Sequence, residues 1–146
     1  MSQATFYTHV ADCAGFICRL SARAVSKGER VLVWADDEAQ MARIDADLWA
    51  NPPEGFLPHE IWQEGSTYPE DVPLVLAFGI DLPAVSDNTV VLNVSESFWC
   101  DAPVPPKRVL EIVGGTPDDL AAARERFRAY RQKGFAIDHH NMQGKG

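Results

Sequence analysis

The stretch RVLVWA, residues 30–35, decides the fold class of this chain. It is a short apolar run between charged residues. It lacks the alternation of polar and apolar side chains that is typical of a strand with one solvent-exposed face. Such runs are typical of strands buried on both faces, which occur in parallel sheets covered by helices. The stretch therefore predicts a buried parallel strand of an α/β protein.

The segments around this strand predict one more strand and two helices. ATFYTHV, residues 4–10, alternates polar and apolar residues and is rich in β formers. Residues 12–27 form a helix capped by Asp12, and Asp36 or Asp37 begins a second helix that must end before Asn51-Pro52-Pro53. Apolar residues recur at helical spacing in both, as Phe16, Ile17, Leu20 and Ala24 and then as Met41, Ile44 and Leu48.

The second half of the chain predicts three strands and a last helix. PLVLAF (73–78), NTVVLNV (88–94) and KRVLEIV (107–113) have the composition of strands, and residues 54–72 are expected to be irregular. The helix follows the cap residue Thr116 and ends near Lys133. These elements predict one α/β domain over residues 1–135, a Rossmann-like three-layer sandwich around a mostly parallel sheet, with a loose tail over residues 136–146.

Composition narrows the class of protein. No run approaches the roughly 18 apolar residues of a membrane span, and the first residues lack the basic and then apolar regions of a secretory signal. Cys13, Cys18 and Cys100 are an odd number without a CxxC pair. We therefore expect a cytoplasmic protein with free thiols, no disulfide and no structural metal.

Charge is distributed unevenly along this acidic chain, whose formal net charge is −8. Residues 31–106 hold fourteen acidic residues and one basic residue, whereas residues 124–133 hold five of the thirteen basic residues. The acidic stretch would repel phosphates, so general DNA binding is disfavoured. A local basic site for an acidic partner remains open.

The sequence contains no motif that predicts catalysis or a cofactor. THVADCAG, after the first strand, lacks the GxGxxG that lets a backbone approach a pyrophosphate, and GGTPDD has no P-loop lysine. Ser95 and Ser97 lack the flanking glycines of a nucleophile elbow. His139 and His140 are better explained as solvated tail residues than as metal ligands. A binding module is the better interpretation.

The last helix carries a strip of arginines beside an apolar stripe. At about 100° per residue, the strip is Arg124, Arg128 and Arg131, the stripe is Leu120, Ala123, Phe127 and Tyr130, and Arg126 and Lys133 fall on the other flank. No acid lies four residues from Arg128 or Arg131 to offset the repulsion. Either this is an amphipathic helix with a solvated basic edge, or the arginines bind a ligand that carries carboxylates and an apolar group together.

Several stretches resemble the chi subunit of bacterial DNA polymerase III. RERFRAYRQKGF (124–135) resembles the family's R-E-R-Y-K-x-Y-R-x-x-G-F segment, and ATFY (4–7) resembles its opening strand. KGERVLVWADDEAQMARIDADLWANPPEGFLPHE (27–60) resembles its second strand, helix and following loop, including the specific pattern LW-A-x-P-x-x-x-F-x-PH. Order and spacing match from end to end, with residues 61–106 only loosely alike.

The resemblance implies a Rossmann-like accessory subunit of the replicase without catalytic activity. Such subunits bind the acidic, phenylalanine-ended tail of single-stranded DNA-binding protein and connect it, through the psi subunit, to the clamp loader. Carried over by motif, the tail site would be Arg124, Phe127, Arg128 and Arg131. The family's tyrosine is Phe127 here and its lysine is Arg128, and neither difference removes the basic and aromatic chemistry.

A second site implied by the resemblance is a psi-binding face made of Trp49, Pro52 and Phe56. A rigid turn at Asn51-Pro52-Pro53 can present aromatic side chains outward, where they act as binding anchors. Trp49 stands at a helix end, so a place in the core is an equally good interpretation of that residue. A repair helicase is left open as a further partner of this face.

Two other functions compete with the adaptor hypothesis. A nucleotide-binding, hydrolase-like enzyme would fit a Rossmann-like fold, but the glycine fingerprint and the P-loop lysine are missing. Direct binding of single-stranded DNA is suggested by arginines beside aromatic rings, but the charge of the chain disfavours it.

Overall fold

A seven-stranded sheet forms the centre of the computed structural model, which describes residues 2–50 and 57–144. In chain order the elements are β1 Gln3–Thr8, α1 Cys13–Ser26, β2 Arg30–Ala35, α2 Glu38–Ala50, β3 His59–Ile61, β4 Leu74–Phe78, β5 Thr89–Asn93, β6 Arg108–Ile112, α3 Pro117–Gln132 and β7 Ala136–Asn141. The strand order is β3-β4-β2-β5-β6-β1-β7, and every strand pair is parallel.

The stretch RVLVWA forms β2 at the middle of this sheet, between β4 and β5. Its residues 31–35 are all buried, because the two faces of the strand contribute to two different cores. Val31 and Val33 pack on one side, whereas Leu32 and Trp34 pack on the other. The prediction of a parallel strand buried on both faces is confirmed.

Helices cover both faces of the sheet and so make three layers. α1 and α2 bury Phe16, Ile17 and Ile44 against one face. α3 buries Ala123 and Tyr130 against the other, beside a short 3₁₀ turn at Trp99–Asp101. The predicted α/β sandwich is therefore confirmed, with a sheet that is parallel throughout the described residues.

The helix starts follow the predicted caps. The side chain of Asp12 accepts a hydrogen bond from the amide of Gly15 at 3.1 Å, and Asp37 accepts one from the amide of Gln40 at 2.8 Å. The Thr116 hydroxyl accepts one from the amide of Asp119 at 3.1 Å. Each cap satisfies a backbone donor that the first helical turn leaves free. These caps fix where the helices leave the sheet edge.

Two short strands were not predicted. β3 lies in the segment expected to be irregular, and β7 occupies residues 136–141 of the expected loose tail. β7 pairs in parallel with β1 along its whole length, and Gln3 donates a hydrogen bond to Asp138 at 2.8 Å. Both strands lie at sheet edges, where polar side chains are normal and hydrophobic patterns are weak.

Helices long and apolar enough to cross a membrane do not occur in residues 2–50 or 57–144.

Candidate functional site

The arginine-rich helix α3 presents one basic side to solvent. Arg124, Arg128 and Arg131 are exposed, whereas Phe127 is half-buried and its ring lies 5.6 Å from that of Phe6 in β1. The structure therefore brings together the four residues of the predicted tail site along one side of α3. The predicted apolar stripe turns toward the sheet beneath them.

The arginines of this strip differ in their surroundings. The Arg128 guanidinium donates to the Glu125 carboxylate at 2.6 Å, an acid three residues away that partly offsets the repulsion within the strip. Both partners are well exposed, so this pair contributes only a few tenths of a kcal/mol to folding. No ion pair with a described residue involves Arg124 or Arg131. Those two guanidiniums are thus available to an acidic ligand.

Arg126, on the other flank of the apolar stripe, is buried, unlike the arginines of the strip. It is 5% exposed, and its Nε donates to the carboxylate of the fully buried Glu111 in β6 at 2.8 Å. The Tyr130 hydroxyl donates to the same carboxylate at 2.6 Å, and the Asn93 amide donates to both of its oxygens at 3.0 Å. Arg126 therefore holds α3 on the sheet and is not part of the tail site.

Burial and hydrogen bonding act in opposite directions on the pKa of Glu111. Burial raises the pKa of the Glu111 carboxyl, and the charge of Arg126 and the hydrogen bonds from Tyr130 and Asn93 oppose that rise. Burial, followed by the charge of Glu111, raises the pKa of Tyr130 well above its ordinary value. Tyr130 is thus a proton donor at all ordinary pH values, and every partner of Glu111 donates to it.

A cavity of about 230 Å³ lies beside this helix, and we call it the tail pocket. Its lining residues come from three elements and the turn after β1; they are Phe6, Thr8, His9, Leu120, Ala123, Arg124, Phe127 and His139. Its apolar and aromatic lining consists of Phe6, Leu120, Ala123 and Phe127, and its polar groups are one guanidinium, one hydroxyl and two imidazoles. No carboxylate lines it.

Three other clefts among the described residues have the opposite character. Each is lined by at least two carboxylates, namely Glu96 and Asp119 in the first, Glu60, Glu70 and Asp71 in the second, and Asp81 and Asp101 in the third. An anionic ligand would be repelled from all of them. Of these four clefts, the tail pocket is therefore the one that suits an acidic ligand.

The first of these clefts lies at the carboxyl ends of β5 and β6, an edge where open α/β sheets commonly bind nucleotides. Its volume is about 230 Å³. Glu96 and Asp119 face it, and the buried cation at its wall, Arg126, is already paired with Glu111. This arrangement disfavours a phosphate ligand.

The predicted psi face is described only in part. Trp49 is 56% exposed at the end of α2, and its ring lies 4.7 Å from that of His59. It does not lie in the core. Pro52 and Phe56 fall within residues 51–56, outside the described residues.

His59 supports this face from beneath. It is 8% exposed, its Nδ1 lies 2.8 Å from the carbonyl oxygen of Leu57, and its Nε2 lies 3.1 Å from the Asp45 carboxylate. These contacts join β3 to α2 below Trp49. The supporting role of His59 was not predicted, although the residue belongs to the pattern LW-A-x-P-x-x-x-F-x-PH.

Comparison with known families identifies the chain. A family model described as DNA polymerase III chi subunit, HolC, matches residues 1–138. The chain belongs to this family. It is 32% identical to the DNA polymerase III subunit chi of Pseudomonas aeruginosa over 128 residues, which cover 86% of this chain and 83% of that protein.

Other chi proteins align over almost the full chain. The chi subunit of Escherichia coli is 30% identical over 146 residues, covering 94% of this chain and 97% of that protein. The chi subunit of Haemophilus influenzae is 26% identical over 146 residues, which cover 95% of this chain and 96% of that protein. As a member of the chi family, the chain is an accessory subunit of DNA polymerase III and takes part in DNA replication.

Metal-binding clusters do not accompany this site. Among residues 2–50 and 57–144, no three histidine, cysteine, aspartate or glutamate side chains lie together as metal ligands would. Burial raises the pKa of the Cys18 thiol to about 11 and also raises that of Cys100. These two side chains are therefore neutral thiols at pH 7.

Proposed function

We propose that this chi-family protein is a non-catalytic adaptor in DNA replication. Its tail site, made of Arg124, Phe127, Arg128 and Arg131 with the tail pocket, binds the acidic C-terminal tail of single-stranded DNA-binding protein. Its psi face binds the psi subunit and so connects that tail to the clamp loader. The observation that carries the proposal is the tail pocket, a cationic and aromatic cavity without a carboxylate in a chain of net charge −8.

The tail pocket suits a peptide that ends in an aromatic residue. Its apolar lining residues, which include Phe6, Leu120 and Phe127, can bury a ring. Arg124 lies at its wall, and Arg131 follows two helical turns later on the same side of α3, so both can meet carboxylates of one extended peptide. Charge attraction steers the peptide, and the buried ring supplies specificity.

Arg124→Ala is expected to weaken binding of the tail peptide by about 2 kcal/mol, the scale of a hydrogen bond between charged groups. The side chain is exposed, so folding should be nearly unchanged. Isothermal titration with a synthetic acidic peptide ending in phenylalanine measures the loss. Affinity of the wild-type protein should also fall steeply with salt.

Arg43→Ala is the matched control for this change. Arg43 is an exposed arginine on α2, which packs on the opposite face of the sheet. If Arg43→Ala weakens the peptide as much as Arg124→Ala does, the attraction is non-specific and the proposed site is wrong. A gel shift with single-stranded DNA at low salt separates this outcome from direct DNA binding.

The second half of the proposal concerns Trp49, Pro52 and Phe56. Trp49 is a large aromatic side chain exposed over 56% of its surface, yet it is held against His59, so it loses little conformational freedom when a partner covers it. Such preorganised aromatic residues are typical anchors of protein interfaces. These features favour a hydrophobic partner segment at this end of α2.

Trp49→Ala is expected to weaken association with psi by about 2 kcal/mol. The free energy of unfolding should fall by less than about 1 kcal/mol, because most of the side chain is already in water. Ile80→Ala is the control, since Ile80 is 91% exposed at a different site. Normal psi binding by Trp49→Ala, measured by surface plasmon resonance, would contradict this part of the proposal.

A further inference from the structure

One hydroxyl in the tail pocket lies between two imidazole rings. Thr8 Oγ1 is 2.8 Å from Nε2 of His139 in β7 and 3.3 Å from Nδ1 of His9 in the turn after β1. Thr8 is 8% exposed, and all three side chains line the tail pocket. The far nitrogens of the rings, Nε2 of His9 and Nδ1 of His139, have no hydrogen bond with a described residue.

The protons of this group can be counted. The Thr8 hydroxyl has one hydrogen and can donate to at most one ring, so at least one ring must donate an N–H to it; we take it to donate to one ring and accept from the other. When both rings are neutral, the ring that accepts from Thr8 carries its proton on the far nitrogen. The ring that donates to Thr8 has only a lone pair there. One added proton gives both far nitrogens an N–H.

We propose that Thr8, His9 and His139 form a carboxylate subsite in the lining of the tail pocket, which binds the terminal carboxylate of an acidic peptide and takes up a proton as it does so. The inference rests on the proposed function and deepens it. In a peptide that ends in an aromatic residue, the ring and the terminal carboxylate belong to the same residue. A ring held by the apolar lining residues therefore brings the carboxylate within reach of the polar groups of the same cavity, to which Arg124 also belongs.

The charges around the subsite favour an anion. Within the pocket lining the charged or titratable groups are His9, His139 and Arg124. Asp138 and His140 neighbour His139 in β7, but they project to the other face, where Asp138 accepts from Gln3 and His140 stacks on Tyr7. Asp119 lines the neighbouring cleft and not the tail pocket.

The backbone at His9 is built for this arrangement. His9 has φ +58°, a left-handed conformation that a residue other than glycine seldom adopts. Its amide donates to the carbonyl oxygen of Gly114 at 3.3 Å, which ties the turn to the end of β6. In this conformation the His9 ring lies beside its chain neighbour Thr8, with Nδ1 3.3 Å from the hydroxyl oxygen. A strained residue beside a cavity is a common feature of ligand sites.

The test is a titration of peptide affinity against pH. Histidine changes charge between about pH 5 and 8, whereas peptide carboxylates stay ionised there. Protonated rings attract the carboxylate, so affinity should rise as pH falls, by about fivefold between pH 8 and pH 6 for one linked proton. Calorimetry in two buffers of different ionisation enthalpy should show uptake of up to one proton. The probe is an acidic peptide ending in phenylalanine, used as the free acid and as the C-terminal amide.

The amide and three variants locate the effect. The amide lacks the terminal carboxylate and should bind more weakly, with little dependence on pH. His139→Gln and His9→Asn should each lose most of the pH dependence, and asparagine is chosen because it tolerates the left-handed backbone. His140→Gln changes a histidine of the same strand on the opposite face, so it should behave as the wild type does.

The outcomes separate this inference from the proposed function. If the free acid binds and its pH dependence is the same in His139→Gln, His9→Asn and wild type, the subsite is wrong and the adaptor proposal stands. If free acid and amide bind equally at every pH, the subsite is also wrong. If the free acid does not bind at pH 6 and low salt, both proposals are wrong.

Discussion

Arg126→Ala is expected to lower the free energy of unfolding by about 3–5 kcal/mol. The change leaves the fully buried carboxylate of Glu111 without its cation, and a buried unpaired charge is among the most destabilising features of a folded protein. A domain of this size is stable by only about 5–15 kcal/mol, so the variant should be close to unfolding. Urea titration followed by circular dichroism measures the loss.

Two further variants test whether the cause is the unpaired charge. Arg128→Ala removes an exposed ion pair on the same helix and should cost less than about 0.5 kcal/mol. Glu111→Gln combined with Arg126→Met removes both charges, and it should recover a large part of the stability that Arg126→Ala loses. A loss below about 1 kcal/mol in Arg126→Ala would show that this buried pair contributes little.

The loss should also depend on pH in a defined direction. Burial already raises the pKa of the Glu111 carboxyl in the folded protein, and removing Arg126 raises it further because the opposing positive charge is gone. The folded variant then binds more protons than its unfolded chain does, so its stability falls as pH rises from the unfolded pKa to the folded pKa. We therefore expect the difference from wild type to be smaller at pH 5 than at pH 8.

Most of the sheet could be predicted because its inner strands are short apolar runs. β2, β4, β5 and β6 are buried on both faces, and burial of that kind leaves a clear hydrophobic signal in the sequence. β3 and β7 carry no such signal. AIDHHN becomes a strand because the free edge of β1 supplies its backbone partners, and those partners lie more than a hundred residues earlier in the chain.

The burial of Arg126 could not be predicted for a similar reason. Helical spacing places it on one flank of α3, but spacing alone does not say whether that flank is buried, and arginine side chains are mostly exposed. Its partner Glu111 lies fifteen residues earlier, on the neighbouring layer. The sequence does contain one indication of this pair, which is Glu111. A single acid within the apolar strand RVLEI must be buried, and a buried carboxylate requires a hydrogen-bond donor.

The tail pocket could not be predicted from the sequence of α3 alone, because other elements also line it. Phe127 and Arg124 were identified from the helix alone, but the cavity also needs Phe6 from β1 and His139 from β7. His139 is exposed, as expected, but it lies in β7, which was not predicted, rather than in a loose tail. Once β7 lies beside β1, the same histidine comes within 2.8 Å of Thr8 and becomes part of the candidate site.

Replacing the final phenylalanine of the tail peptide by glycine is expected to weaken its binding by about 2–4 kcal/mol. Burying an aromatic side chain contributes about 1.5–3 kcal/mol, and contact with the Phe127 ring adds about 0.5–1.5 kcal/mol. The tail pocket has room for this ring, since its volume is about 230 Å³ and a cavity of roughly 150 Å³ holds benzene. Glycine keeps the terminal carboxylate, so isothermal titration of the two peptides isolates the ring.

The ring can be assigned to the tail pocket with a double-mutant cycle. Phe127→Leu keeps an apolar wall beside Phe6 but removes the aromatic partner, so it should weaken the phenylalanine peptide by about 1 kcal/mol. The same variant should bind the glycine peptide as the wild type does, because that peptide has no ring to lose contact with Phe127. Equal effects on both peptides would place the ring elsewhere. If the two peptides bind the wild type within twofold of each other, the tail pocket does not recognise an aromatic end.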